Sequence, residues 1–126
     1  MKEKNSHTHH ISQQFSAELD GIKTRMLGMG GLVEKQVADA TNAFMQLDTG
    51  LAEEVRKGDA LVNALEVSID EDCTIILARR QPAASDLRLV LSISKILSDL
   101  ERMGDEASKV ADSAIKLTEL GGLPRS

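Results

Sequence analysis

Proline stands at only two places in this chain, Pro82 and Pro124. It lacks a backbone donor and clashes with the preceding turn, so it is the residue that most reliably breaks a helix. From Ile11 to Gln81 no proline interrupts the sequence, and long helices are permitted there. Phe15, Leu19, Ile22, Met26, Met29, Val33, Val37, Ala40, Phe44 and Leu47 recur at steps of three and four, the repeat of one helical face. Asp48-Thr49-Gly50 supplies turn chemistry, and Leu51, Val55, Val62, Leu65, Ile69, Cys73 and Ile76 carry a second stripe. Gln81-Pro82 then biases the chain away from helix, and Ser85 can cap a third, with Asp86 favourably placed in its first turn. Its apolar positions fall in sevens, Leu89, Ile96, Met103, Val110 and Leu117, beside Ile93, Leu100, Ala107 and Ala114.

The spacing predicts helices over about 11–48, 51–80 and 85–120, preceded by a flexible tail at 1–10 and followed by a linker or cut end at 121–126. Amphipathic helices this long need a partner for each apolar face, and two short connections make sequence neighbours antiparallel. The expected fold is all-α, an elongated antiparallel up-down-up three-helix bundle. Glycines 28, 30 and 31 lie inside the first helix, where they would thin it for a close neighbour or kink it. Aromatic residues are limited to Phe15 and Phe44, so the core is aliphatic, which suits helices better than sheet.

The formal net charge of -5 arises from acidic residues spread along the chain, with no basic tract to follow a phosphate backbone. Nucleic-acid binding is therefore not expected. No stretch reaches the roughly 18 consecutive apolar residues of a membrane span, and the start is polar, so a cytoplasmic protein without membrane insertion is expected. Cys73, the lone cysteine, sits at helical spacing among Ile69, Ile76 and Leu77 and reads as a packing residue.

Two acidic pairs stand out. Glu66 and Asp70 are four residues apart on the second helix, as are Glu101 and Asp105 on the third, so each pair shares a helical face. Their oxygen donors suit hard cations such as magnesium, calcium, manganese or iron. A solvated acidic face is the alternative. Register adds that Glu66 and Asp70 should lie opposite about Ile96 to Leu100, a turn short of the second pair. Arg79, Arg80 and Arg88 bracket the Pro82 connection, where they can complement a helix C-terminus or form a docking tip. His7, His9 and His10 all fall in the tail, so neither an inward Glu-x-x-His metal centre nor a histidine-activated nucleophile can be assembled, and no enzyme is expected.

The run from Glu66 to Glu71, then Ile75-Ile76-Leu77-Ala78-Arg79-Arg80-Gln81-Pro82-Ala83-Ala84-Ser85-Asp86-Leu87-Arg88, then Asp99 to Asp105, resembles the first repeat of the PhoU family. The segment His9-His10-Ile11-Ser12-Gln13-Gln14-Phe15 is similar to the start of that family, so nearly the whole chain is covered. The resemblance implies two tandem three-helix bundles, of which this chain supplies one, as a fragment would. It implies a negative regulator of phosphate uptake and the phosphate regulon, an adaptor between the ATPase subunit of the phosphate ABC transporter and a PhoR-like sensor histidine kinase. It also implies a homo-oligomer and metal held by acidic motifs, which map onto Glu66, Asp70, Glu101 and Asp105. The metal is left open among iron, manganese, magnesium and zinc. A metal-binding or structural helical module without a direct signalling role is the alternative.

Overall fold

Three helices hold nearly all of the described residues: α1 Lys2–Gln46, α2 Thr49–Arg80 and α3 Ala84–Gly121. The computed structural model describes residues 2–80 and 84–121, with side chains over 13–79 and 84–121. Gln81, Pro82 and Ala83 lie outside the described residues, as do Met1 and residues 122–126. Each helix packs against both others, up, down and up. At 1.5 Å per residue the longest would run about 65 Å.

Helix α1 spans Lys2–Gln46 and so includes most of the segment expected as a tail. Residues 2–10 contain neither glycine nor proline, and nothing local stops a helix propagating through them. At its other end, Leu47 adopts a left-handed conformation with φ of 52°. The Asp48 amide donates to the Ala43 carbonyl at 2.9 Å and the Leu47 amide to Phe44 at 3.4 Å, closing a Schellman-type C-terminus. Asp48 then caps α2, its Oδ1 accepting from the Leu51 amide at 3.0 Å. Thr49 and Gly50 thus belong to the first turn of α2 and not to the connection. Ser85 likewise lies within α3, which begins at Ala84, while Asp86 keeps its place in the first turn.

The core falls into two unlike parts. One is built from large side chains, among them Phe15, Met29, Val62, Ile69, Ile93 and Leu97. Cys73 is buried within it. The other, nearer the α1–α2 turn, is almost all alanine: Ala40, Ala43, Ala52, Ala107, Ala111 and Ala114 around Val55. Between them lies a polar layer. Gln36 is buried and donates from Nε2 to the Val55 carbonyl at 2.8 Å. A Cβ on Gly58 would come within 2.7 Å of that amide, so any side chain there would displace the glutamine from this position. Gly104 on α3 faces Val62 and Asp59.

On α2 the expected Val55, Val62, Ile69, Cys73 and Ile76 are buried and Leu51 and Leu65 half-buried, and on α1 Phe15, Leu19, Ile22, Met29, Val33 and Ala40 are buried and Met26 half-buried. On α3 the buried line is Val90, Leu97, Gly104 and Ala111, one residue beyond the expected Leu89, Ile96, Met103 and Val110. Met103 remains 48% exposed, so it is not the seam residue the heptads suggest. In the alanine-rich half the shift has a steric cause: where alanine and glycine let helices approach closely, Met103 and Val110 do not fit, and the smaller Gly104 and Ala111 turn inward. On α1 Ala43 is likewise buried while the larger Phe44 stays outside, whereas Gln36 is buried in place of Val37 through its bond to the Val55 carbonyl. No atom outside the helix lies within 4 Å of a Cβ built on Gly28, Gly30 or Gly31, so these glycines neither admit a neighbour within the bundle nor interrupt α1.

Candidate functional site

Antiparallel packing of α2 on α3 sets the carboxylates in a ladder along their shared seam. Nearest the Pro82 end, Ser94 Oγ donates to Asp70 Oδ1 at 3.1 Å. Next, Glu66 is pushed above the usual carboxylate range, first by burial and then by the neighbouring charges of Asp70 and Glu101. Farther along, Asp59 is raised by burial and by Asp105, against a hydrogen bond from Asn63. Lys109 Nζ stands 3.5 Å from Asp105. The ladder ends in cations: Arg56 lies 3.8 Å and Lys116 3.0 Å from Asp112.

Glu101 and Asp70 thus stand near enough to Glu66 for their charges to act on it, although register along the sequence sets the α2 pair about a turn short of the α3 pair. Asp105 is set apart, beside Asp59 and Lys109. The donors have the right chemistry for a hard cation, and the raised Glu66 pKa marks a repulsion that a cation would relieve. Their placement does not complete a ligand set: among the described residues no three His, Cys, Asp or Glu side chains are grouped so as to hold a metal ion.

Asp59 escapes the sequence reading, although it lies seven residues before Glu66 and hence on nearly the same face. Its Oδ1 is buried with no hydrogen-bond partner among the described residues. Arg25 was missed as well. It ties α1 to α2 by donating to Asp72 and, at 2.7 Å, to Ser68. A single arginine on a polar face carries no sequence signal for that bridge. Burial, then Asp70 and Asp72, raise the Cys73 thiol, which disfavours the thiolate and agrees with a packing role.

Arg79 is exposed near the end of α2 and lines a hollow between α1 and α2 with Glu18, Arg25 and Asp72. Arg88 is exposed near the start of α3, at the same end of the bundle. The side chain of Arg80 lies outside the described residues.

Comparison with known proteins matches residues 26–114 to the PhoU domain model. The chain belongs to the PhoU family. It is 62% identical over 125 residues to the phosphate-specific transport system accessory protein PhoU homolog of Pseudomonas aeruginosa, a match covering 99% of this chain and 52% of that protein. It is 52% identical over 107 residues to the Escherichia coli accessory protein PhoU, covering 85% and 44%. The crystal structure of Pseudomonas aeruginosa PhoU superposes with a TM-score of 0.83 at 61% identity, over 88% of this chain and 53% of that one. That of the regulatory protein PhoU from Streptococcus pneumoniae gives 0.77 at 33% identity, over 89% and 52%. The chain thus spans about half the length of the relatives it matches. They are named as accessory or regulatory proteins, not enzymes, and the three-helix PhoU fold agrees with theirs. Among the described residues no helix is long and apolar enough to cross a membrane.

Proposed function

We propose that this chain is a regulatory adaptor of phosphate uptake, a cytoplasmic PhoU-family module that represses the phosphate regulon when phosphate is plentiful. It does so by docking on the ATPase subunit of the phosphate ABC transporter and on a PhoR-like sensor kinase. The observation that carries this reading is the 62% identity to a phosphate-specific transport accessory protein across 99% of the chain. The bundle also offers a surface suited to the role. Arg79 and Arg88 are exposed at the end of the bundle where α2 meets α3, free of the acidic ladder, and arginine makes strong charge-assisted bonds to carboxylates on a partner. Affinity capture from cells grown at high phosphate tests the reading. Recovery of the transporter ATPase or the kinase supports it, and recovery of neither counts against it.

A second element of the proposal is cation binding by Glu66, Asp70, Glu101 and Asp105. It is supported by the crowding of carboxylates around Glu66. Because the side chains do not converge, binding requires rotamer changes that bring the donors of α2 and α3 together, with an iron, manganese, magnesium or zinc ion as the ligand. This element stands apart from docking, and its failure would leave the adaptor reading intact.

A further inference from the structure

The two parts of the core are separated at one level of the rod. Between Val33 and Ala40 the one buried residue of α1 is Gln36, between Val55 and Val62 α2 buries none, and between Leu97 and Ala107 α3 buries only Gly104. Antiparallel packing sets these three gaps side by side. The Gln36 amide lies where a Gly58 Cβ would stand, and Val62 and Asp59 Oδ1 lie 3.3 and 3.6 Å from where a Gly104 Cβ would stand. Val37 and Met103, the large apolar residues next to these gaps, are 40% and 48% exposed and stay outside. The layer is polar and incompletely paired. Gln36 donates to the Val55 carbonyl, but Asp59 Oδ1 is buried with no hydrogen-bond partner among the described residues.

We infer that this layer is a hinge plane, at which the half of the bundle holding the α1–α2 turn opens as a unit while the half ending at Arg79 and Arg88 stays folded. The halves are held by unequal amounts of apolar surface. An alanine methyl withdraws much less surface from water than the side chains of Met29, Ile69, Ile93 and Leu97. Separating the helices around Ala40, Ala52, Ala107 and Ala111 therefore costs far less than separating them around the large cluster. Opening also lets water reach Asp59 Oδ1, which offsets part of that cost. The polar ties follow the same division. Arg25 bonds α1 to Asp72 and Ser68, and Ser94 bonds α3 to Asp70, all in the half with large side chains. In the alanine half, α2 and α3 are tied by the exposed pair Arg56–Asp112, which water screens. Once apart, the stretches 37–46 and 49–58 are shorter than the roughly 12–15 residues a lone helix needs to persist in water, so their amides become open to exchange. Arg79 and Arg88 lie on the closed side, and the opening leaves that end of the bundle unaltered.

Native-state hydrogen exchange of the 126-residue chain tests this, with circular dichroism melts to show that each variant is folded. Amides within 40–46 and 52–58 should exchange about a hundredfold or more faster than the slowest of 62–76. They should share one rate up to the level of Gln36 and Gly58, with a step beyond it, whereas simple fraying would grade the rates from the turn inward. Ile69→Val removes one buried methylene from the half that stays closed. It should speed exchange at 62–76 about fivefold and leave 40–46 and 52–58 unchanged, because their opening does not disturb Ile69. Val55→Ala, on the other side of the plane, should speed both sets, since the alanine half opens in local and global unfolding alike. Equal protection throughout, a smooth gradient without a step, or an Ile69→Val change that speeds both sets equally would each overturn the inference.

Discussion

Asp59 holds one carboxylate oxygen, Oδ1, away from water with no hydrogen-bond partner among the described residues, although Asn63 donates to the carboxylate. Burial and Asp105 raise its pKa in the folded chain above the ordinary value. The protonated form is thus favoured by folding. Its stabilising share is fully present below the unfolded carboxylate pKa, about 3.9, and is lost as pH rises through the higher folded value. At pH 7 the charged group costs stability. Asp59→Asn should therefore raise the melting temperature at pH 7, by the equivalent of about 1 kcal/mol, and the gain should vanish near pH 3. Thermal melts across that range check it, and a loss of stability at pH 7 would contradict the assignment. The acidic ladder makes a second prediction at this scale. If a cation binds, melts with iron, manganese, magnesium or zinc should shift upward by mass action. Asp70→Asn with Asp105→Asn should abolish the shift and leave the metal-free protein as stable or slightly more so. A wild type indifferent to all four metals would remove the cation from the account.

Among the helices, number, order and most boundaries are legible in the sequence, because aliphatic residues at steps of three and four have one simple explanation and only one proline divides the periodic region. The face of α3 is less legible. Met103 and Val110 outrank Gly104 and Ala111 in hydrophobicity, yet the seam selects the smaller pair because helix proximity there, not transfer free energy, decides which side chain fits. The candidate site divides along the same line. Glu66, Asp70, Glu101 and Asp105 are visible as motifs, but which carboxylates face one another depends on the offset between α2 and α3, which no spacing within one helix encodes. Asp59 and Arg25 are single charged residues whose importance comes entirely from what packs beside them. This ordering of faces predicts unlike outcomes for two substitutions. Leu97→Asp would bury an unpaired charge at a position 1% exposed, costing on the order of 4 kcal/mol or more, and should largely unfold the chain. Met103→Asp should leave the helical signal and melt nearly unchanged. Equal damage from both would put the seam back on the Met103 line.

At the scale of the molecule, the bundle is a rod with distinct sides: an acidic seam between α2 and α3, an apolar strip between α1 and α3, and arginines at one end. Sequence and fold place the rod in a family whose named members serve phosphate transport, and the proposed adaptor role requires direct contact with that machinery. The most direct measurement is a calorimetric titration of the purified chain with the ATPase subunit of the phosphate transporter and, separately, with the cytoplasmic part of the sensor kinase. The account predicts saturable binding to at least one of them, weakened at least tenfold by Arg79→Glu with Arg88→Glu while the melting temperature is unchanged. No binding to either partner by the folded wild-type chain would contradict it.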